Sequence, residues 1–91
     1  MEKSLHCIVS GKVQGVYFRA FVQEQAESLL LRGWVRNLKD GDVEVLAQGA
    51  PEAQKTLVQR LMQGPPLARV ARVEAEHIDY DKTYQGFEIR G

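Results

Sequence analysis

Nine residues, GKVQGVYFR at positions 11–19, set two glycines and one arginine between a β-branched run and a helical pattern. That mixture suits an oxyanion. The first four N–H groups of a helix have no partner inside it, and the aligned peptide dipoles make that end positive. Gly15 can take a positive φ and let successive N–H groups converge on one point. Arg19 would add a planar, permanently charged fork that grips phosphate oxygens in pairs. A cation in the first helical turn opposes the dipole, so an arginine here is more informative than one elsewhere. The stretch is not the ATP-binding loop, which needs Lys-Ser or Lys-Thr after its last glycine. Nor is it the dinucleotide fingerprint, which needs a third spaced glycine. The same residues also make an ordinary β-to-α turn with a surface arginine. Taken alone, they lean slightly towards that plainer reading.

Asn37, in GWVRNLKDGDVEV (33–45), is the second candidate. A neutral amide can hold a water through both a donor and an acceptor. Asparagine is equally a common turn residue that bonds its own backbone. The two candidates work together only if the fold brings the first loop and the hairpin after Asn37 to one end of a sheet.

The elements that must position them are legible. Residues 5–10 read as a strand ending at Gly11. Over 18–31 the period changes: Phe18, Val22, Ala26, Leu29 and Leu30 fall on one helical face, with Arg32 and Gly33 as a basic last turn and a stop. Residues 34–38 and 43–47 are strands joined at Asp40-Gly41, a strong hairpin signal. Val43, Val45 and Ala47 share one face of the second of them. Pro51 opens a second helix, with Leu57, Val58, Leu61 and Met62 as its apolar face and Gly64-Pro65-Pro66 as its end. A fourth strand lies within 68–80. Val70 and Val73 are three apart, which breaks alternation and predicts a bulge or an irregular start. Residues 86–90 can add a short fifth strand. The order β-α-β-β-α-β predicts an α+β, ferredoxin-like sandwich: an antiparallel sheet of four strands, with room for that fifth, and two helices on one face.

Composition limits what such a fold is doing here. The 91 residues suffice for one domain, taken as 1–91. Twelve basic residues balance twelve acidic ones, which argues against a general nucleic-acid or anionic-membrane binder. The single cysteine, Cys7, cannot form an internal disulfide, and no apolar run approaches a membrane span or a signal peptide. The expectation is a cytoplasmic monomer.

Two separated motifs then coincide with one family. GKVQGVYFR resembles the first signature of the acylphosphatases. GWVRNLKDGDVEVLAQG resembles the second, through Gly33, Trp34, Val35, Arg36, Asn37, Gly41, Val43 and Gly49. The ending YQGFEIRG is similar as well, so the resemblance covers essentially the whole chain. Tyr17 fills a variable slot. The resemblance implies hydrolysis of a small acyl phosphate to a carboxylate and inorganic phosphate, with neither metal nor cofactor. It implies that the backbone N–H groups of Gly15, Val16, Tyr17, Phe18 and Arg19, with the Arg19 guanidinium, bind the phosphoryl group, and that Asn37 orients the attacking water.

Other polar residues have simpler explanations. His6 and His77 lack ligand-spaced partners. Cys7 has no activating cluster and reads as a small buried hydrophobe. Asp40, Asp42 and Glu44 fit a hairpin turn better than a calcium loop. Trp34 reads as a packing anchor beside the first helix, and Tyr80, Tyr84 and Phe87 as finishing the core and sheet edge. The rival functions are an RNA-binding module, disfavoured by the aromatic-free strand VEVLA and zero net charge, and a small-molecule regulatory domain, which expects an attached enzyme or an evident dimer surface. A binding domain that has lost turnover is a third, and the presence of both Arg19 and Asn37 argues against it.

Overall fold

The computed structural model describes residues 3–91. Strand alternation decides which way each element faces. β1 (Ser4–Lys12) sends Leu5, Cys7 and Val9 inward, and β3 (Val43–Gln48) sends Val43, Val45 and Ala47 to the same side. Onto that face pack α1 (Phe18–Ser28), through Phe18, Val22 and Ala26, and α2 (Pro51–Gln63), through Leu57 and Leu61. β2 (Arg32–Asn37), β4 (Arg69–Ile78) and β5 (Phe87–Arg90) complete the sheet. Its strand order is β4-β1-β3-β2-β5.

The fifth strand changes the character of the sheet. β5 pairs in parallel with β2, Gly33 opposite Phe87 and Val35 opposite Ile89, so the sheet is mixed rather than antiparallel throughout. The expected bulge lies in β4. The register shifts between Ser10 and Gly11, which face Arg72 and Val70, so Ala71 is the extra residue.

Three local expectations are corrected. α1 ends at Ser28, and Arg32 and Gly33 belong to β2, not to the last helical turn. The stop is instead Leu30, at φ 59. Leu31 N–H donates to Ala26 O at 2.8 Å and Leu30 N–H to Glu27 O at 3.1 Å. That is the pair of bonds of a Schellman ending, built here on a leucine where glycine is usual. Gly33 is needed for another reason: a Cβ there would run into Leu46 O of the neighbouring strand.

Second, Met62 is exposed, and the buried face of α2 includes Gln54, 2% exposed. The Gln54 amide donates to Lys3 O and Ala47 O, both at 3.0 Å, and its oxygen meets His77 Nε2. A fully paired amide can occupy a core position without the cost of a lost hydrogen bond.

Third, Trp34 lies on the sheet face away from the helices, because its neighbour Val35 points into the core. Its ring sits beneath the guanidinium groups of Arg90 and Arg36, 4.9 and 5.2 Å from their carbons. The Tyr84 ring lies against Arg90 too, and Tyr80 is partly exposed, so of the three late aromatics only Phe87 joins the core.

Candidate active site

The loop between β1 and α1 is fastened to the core at two points. Val13 and Val16 are buried on either side of Gln14 and Gly15, and Phe18, the first residue of α1, is 1% exposed. Between these anchors the backbone turns through two left-handed residues, Gly15 at φ 72 and Tyr17 at φ 63. A Cβ on Gly15 would touch nothing, so glycine serves conformation here and not space. Tyr17 has no such excuse. It is the N-cap of α1, makes no side-chain cap, and its side chain is 80% exposed. A left-handed residue followed by right-handed helix turns consecutive N–H groups towards a common point.

Among the described residues, no backbone hydrogen bond engages the N–H groups of residues 15 to 19; the first in this turn is Phe21 N–H to Tyr17 O at 3.0 Å. The first turn of α1 also carries no acidic side chain, in contrast to α2, which has Glu52. This helix end is thus positive, and its N–H groups are unspent.

Arg19 stands in that first turn. One of its guanidinium nitrogens donates to Arg90 O on β5 at 2.9 Å. That bond fixes the direction of the side chain against the repulsion of the helix dipole and leaves other donors of the fork free. Asn37 ends β2, opposite Val43 on β3. Its Oδ1 is buried and has no hydrogen-bond partner among the described residues. That sets it apart from a turn asparagine bonded to its own backbone.

One cavity of about 360 Å³ joins these parts. Gly15, Tyr17, Phe18 and Arg19 line it from the loop and α1, Asn37 from β2, and Ile89 from β5. The Val16 side chain is in the core, so any part it takes in the cavity is through its backbone. The loop and the hairpin do meet at one end of the sheet, and the residue that joins them is Gln14. Its Nε2 donates to Leu38 O at 2.8 Å and to Asp42 O at 2.9 Å. Gln14 was in view as part of the motif, but nothing local marks it as a bridge, since both acceptors lie far along the chain.

The remaining polar residues are occupied elsewhere. His6 pairs with Glu44, and the Arg36 Nε–H donates to the other oxygen of that carboxylate at 2.5 Å. Asp40 accepts a bond from Asp42 N–H in the hairpin turn. Cys7 is fully buried, and burial pushes its thiol up to about 12. Among the described residues, no group of three His, Cys, Asp or Glu side chains could hold a metal ion.

Comparison with known proteins adds an independent line. The acylphosphatase family model matches residues 5–89. An acylphosphatase of Nitrosococcus oceani is 47% identical over 99% of this chain and all of its own length. The solved acylphosphatase of Coxiella burnetii superimposes with a TM-score of 0.92 at 46% identity, covering 98% of this chain and 93% of that one. The solved acylphosphatase of Bacillus subtilis gives 0.94 at 36% identity, with both chains covered in full.

Proposed function

The chain belongs to the acylphosphatase family and is a hydrolase of acyl phosphates, and from that premise we propose how its residues divide the work. The N–H groups of residues 15 to 19 and the Arg19 guanidinium hold the phosphoryl oxygens. Asn37 holds the attacking water. The observation that carries this reading is the shared cavity: a positive helix end, a tethered arginine and Asn37, whose amide oxygen meets no partner among the described residues, border the same space.

The chemistry asks for little more. Water oxygen bonds to phosphorus as the phosphorus–carboxylate oxygen bond breaks. The leaving carboxylate has a conjugate acid of pKa about 4 to 5, so it departs at neutral pH without a general acid. Phosphoryl transfer needs mainly alignment and stabilisation of charge on the equatorial oxygens. An arginine fork and a row of fixed N–H groups provide that stabilisation with no reorganisation during the reaction. Asparagine orients a water but is a poor base, so the water's proton passes to a phosphoryl oxygen of the substrate. Positive charge supplied by Arg19 and the helix end supports a reaction that proceeds without a metal. We place the enzyme in the cytoplasm as a monomer acting on small acyl phosphates. The balanced net charge and the single, buried free thiol support that placement.

The test is hydrolysis of benzoyl phosphate in EDTA, with inorganic phosphate binding measured alongside. The unmutated chain is expected to turn over, and Arg19→Ala to lose both activity and phosphate binding. Activity that survives in Arg19→Ala, or that EDTA abolishes in the unmutated chain, would overturn the reading.

A further inference from the structure

Asn37 reaches the cavity from a strand end that leads into an exposed hairpin tip, where Lys39 and Asp40 are open to solvent. The phosphate cradle reaches it from a different loop. In-line attack needs the two held at a fixed separation, and a misplacement of about 1 Å can cost about 100-fold in rate. The core fixes the cradle through Val13, Val16 and Phe18. The hairpin neck closes on itself by Leu38 N–H to Asp42 O at 2.8 Å, a bond that does not involve the cradle.

Among the described residues, the Gln14 side chain makes the direct polar link between them. Its two amide hydrogens satisfy carbonyls on both sides of the neck, Leu38 O next to Asn37 and Asp42 O next to Val43, Asn37's partner across the ladder. A two-point attachment fixes orientation as well as distance. Gln14 itself stands between Val13 and Gly15, the first residue of the cradle.

We propose that Gln14 is a positioning residue: by bridging the cradle to the hairpin neck it sets where the Asn37 amide stands relative to the bound phosphoryl group, and so governs turnover and not phosphate binding. This rests on the reading of Asn37 as the water-orienting group. Gln14 is not placed in contact with reacting atoms.

Two variants test it. Gln14→Met keeps length and removes both donors. Gln14→Glu keeps shape; its carboxylate cannot donate, but its protonated form can donate one bond. The measurements are kcat for benzoyl phosphate and the inhibition constant of inorganic phosphate, from pH 4 to 8, in proteins whose circular dichroism matches the unmutated chain. Gln14→Met is expected to lose about 10- to 100-fold in kcat while phosphate inhibition stays within about twofold. Gln14→Glu is expected to match that loss at neutral pH and to regain kcat, relative to the unmutated chain at each pH, as the introduced carboxyl protonates near about pH 4 to 5. Loss of phosphate inhibition in step with kcat would overturn the proposal, because Gln14 would then shape the cradle itself. An unchanged kcat would overturn it as well.

Combining each variant with Asn37→Ala separates this inference from the reading beneath it. If Gln14 acts through Asn37, the double variant falls no further than Asn37→Ala alone. Multiplicative losses defeat the bridge and leave the water-orienting role standing. Full turnover in the single Asn37→Ala variant defeats both.

Discussion

In the proposed division of work, Asn37 and Arg19 would carry chemistry in two different ways. Arg19 is costly where it stands, since its charge opposes the start of α1, and Arg90 O stabilises the position. Asn37 keeps a buried amide oxygen that meets no partner among the described residues. Asn37→Ala is expected to leave the inhibition constant of inorganic phosphate within about twofold and to lower kcat by about 100-fold or more, comparable to removing one preorganised polar group from an active site. Steady-state kinetics on benzoyl phosphate with phosphate as inhibitor check both halves. The types and spacing of these residues were readable in the sequence. The left-handed turn at Tyr17 was not, because a tyrosine gives no warning of a conformation that glycine normally takes. Gln14 was hidden for another reason: its meaning lies in two carbonyls that only the folded chain brings near.

Elements follow the same division. Periodicity together with turn and cap residues points to the first three strands and both helices. The fourth strand is legible only as lying within 68–80 and the fifth only as a possibility. The broken alternation at Val70 and Val73 marks the irregularity that the structure shows as a bulge. Arg32-Gly33 looks like the end of α1, while the true stop uses Leu30 in a conformation that leucine disfavours. That leucine is 85% exposed, so it gains little from burial. Left-handed backbone costs a non-glycine residue about 1–2 kcal/mol, and glycine's extra unfolded freedom takes back about 0.5–1 kcal/mol. Leu30→Gly is therefore expected to stabilise the fold by about 0.5–1 kcal/mol, seen as a higher urea midpoint with unchanged slope.

On the far face of the sheet, Glu44 links β1, β2 and β3. Burial alone would raise its pKa, but the hydrogen bonds and charges of His6 and Arg36 together lower it below the ordinary 4.5. Its stabilising contribution is thus present above pH 4.5 and is lost as the pH falls through the lower folded value. Glu44→Gln should flatten the acid limb of stability against pH, followed by urea midpoints between pH 2 and 6.

At the scale of the whole molecule, the buried thiol reports on global opening. Cys7 is fully buried in the central face, and its pKa is pushed up to about 12. A thiol reagent needs the thiolate and a path to it, and the folded chain offers neither. Labelling by an aromatic disulfide at pH 8 is expected to run no faster than global unfolding and to accelerate with urea along the unfolding limb. Fast labelling without denaturant would show a local opening across β1. The sign at alkaline pH follows from the same burial. The unfolded thiol ionises near about 8.5 while the folded one keeps its proton, so stability declines as the pH rises beyond that value.

The anchoring of Arg19 on β5 also has a kinetic meaning. β5 enters the sheet beside β2, with Gly33 opposite Phe87, a closure between distant parts of the chain. Contacts of that separation form late, because the entropy of closing a long loop must be met before they contribute. The guanidinium is tethered only once that strand has docked. On the proposed role of Arg19, a refolding chain that holds its helices and hairpin is expected to stay catalytically silent until β5 docks, so hydrolysis should return no earlier than that edge strand takes its place.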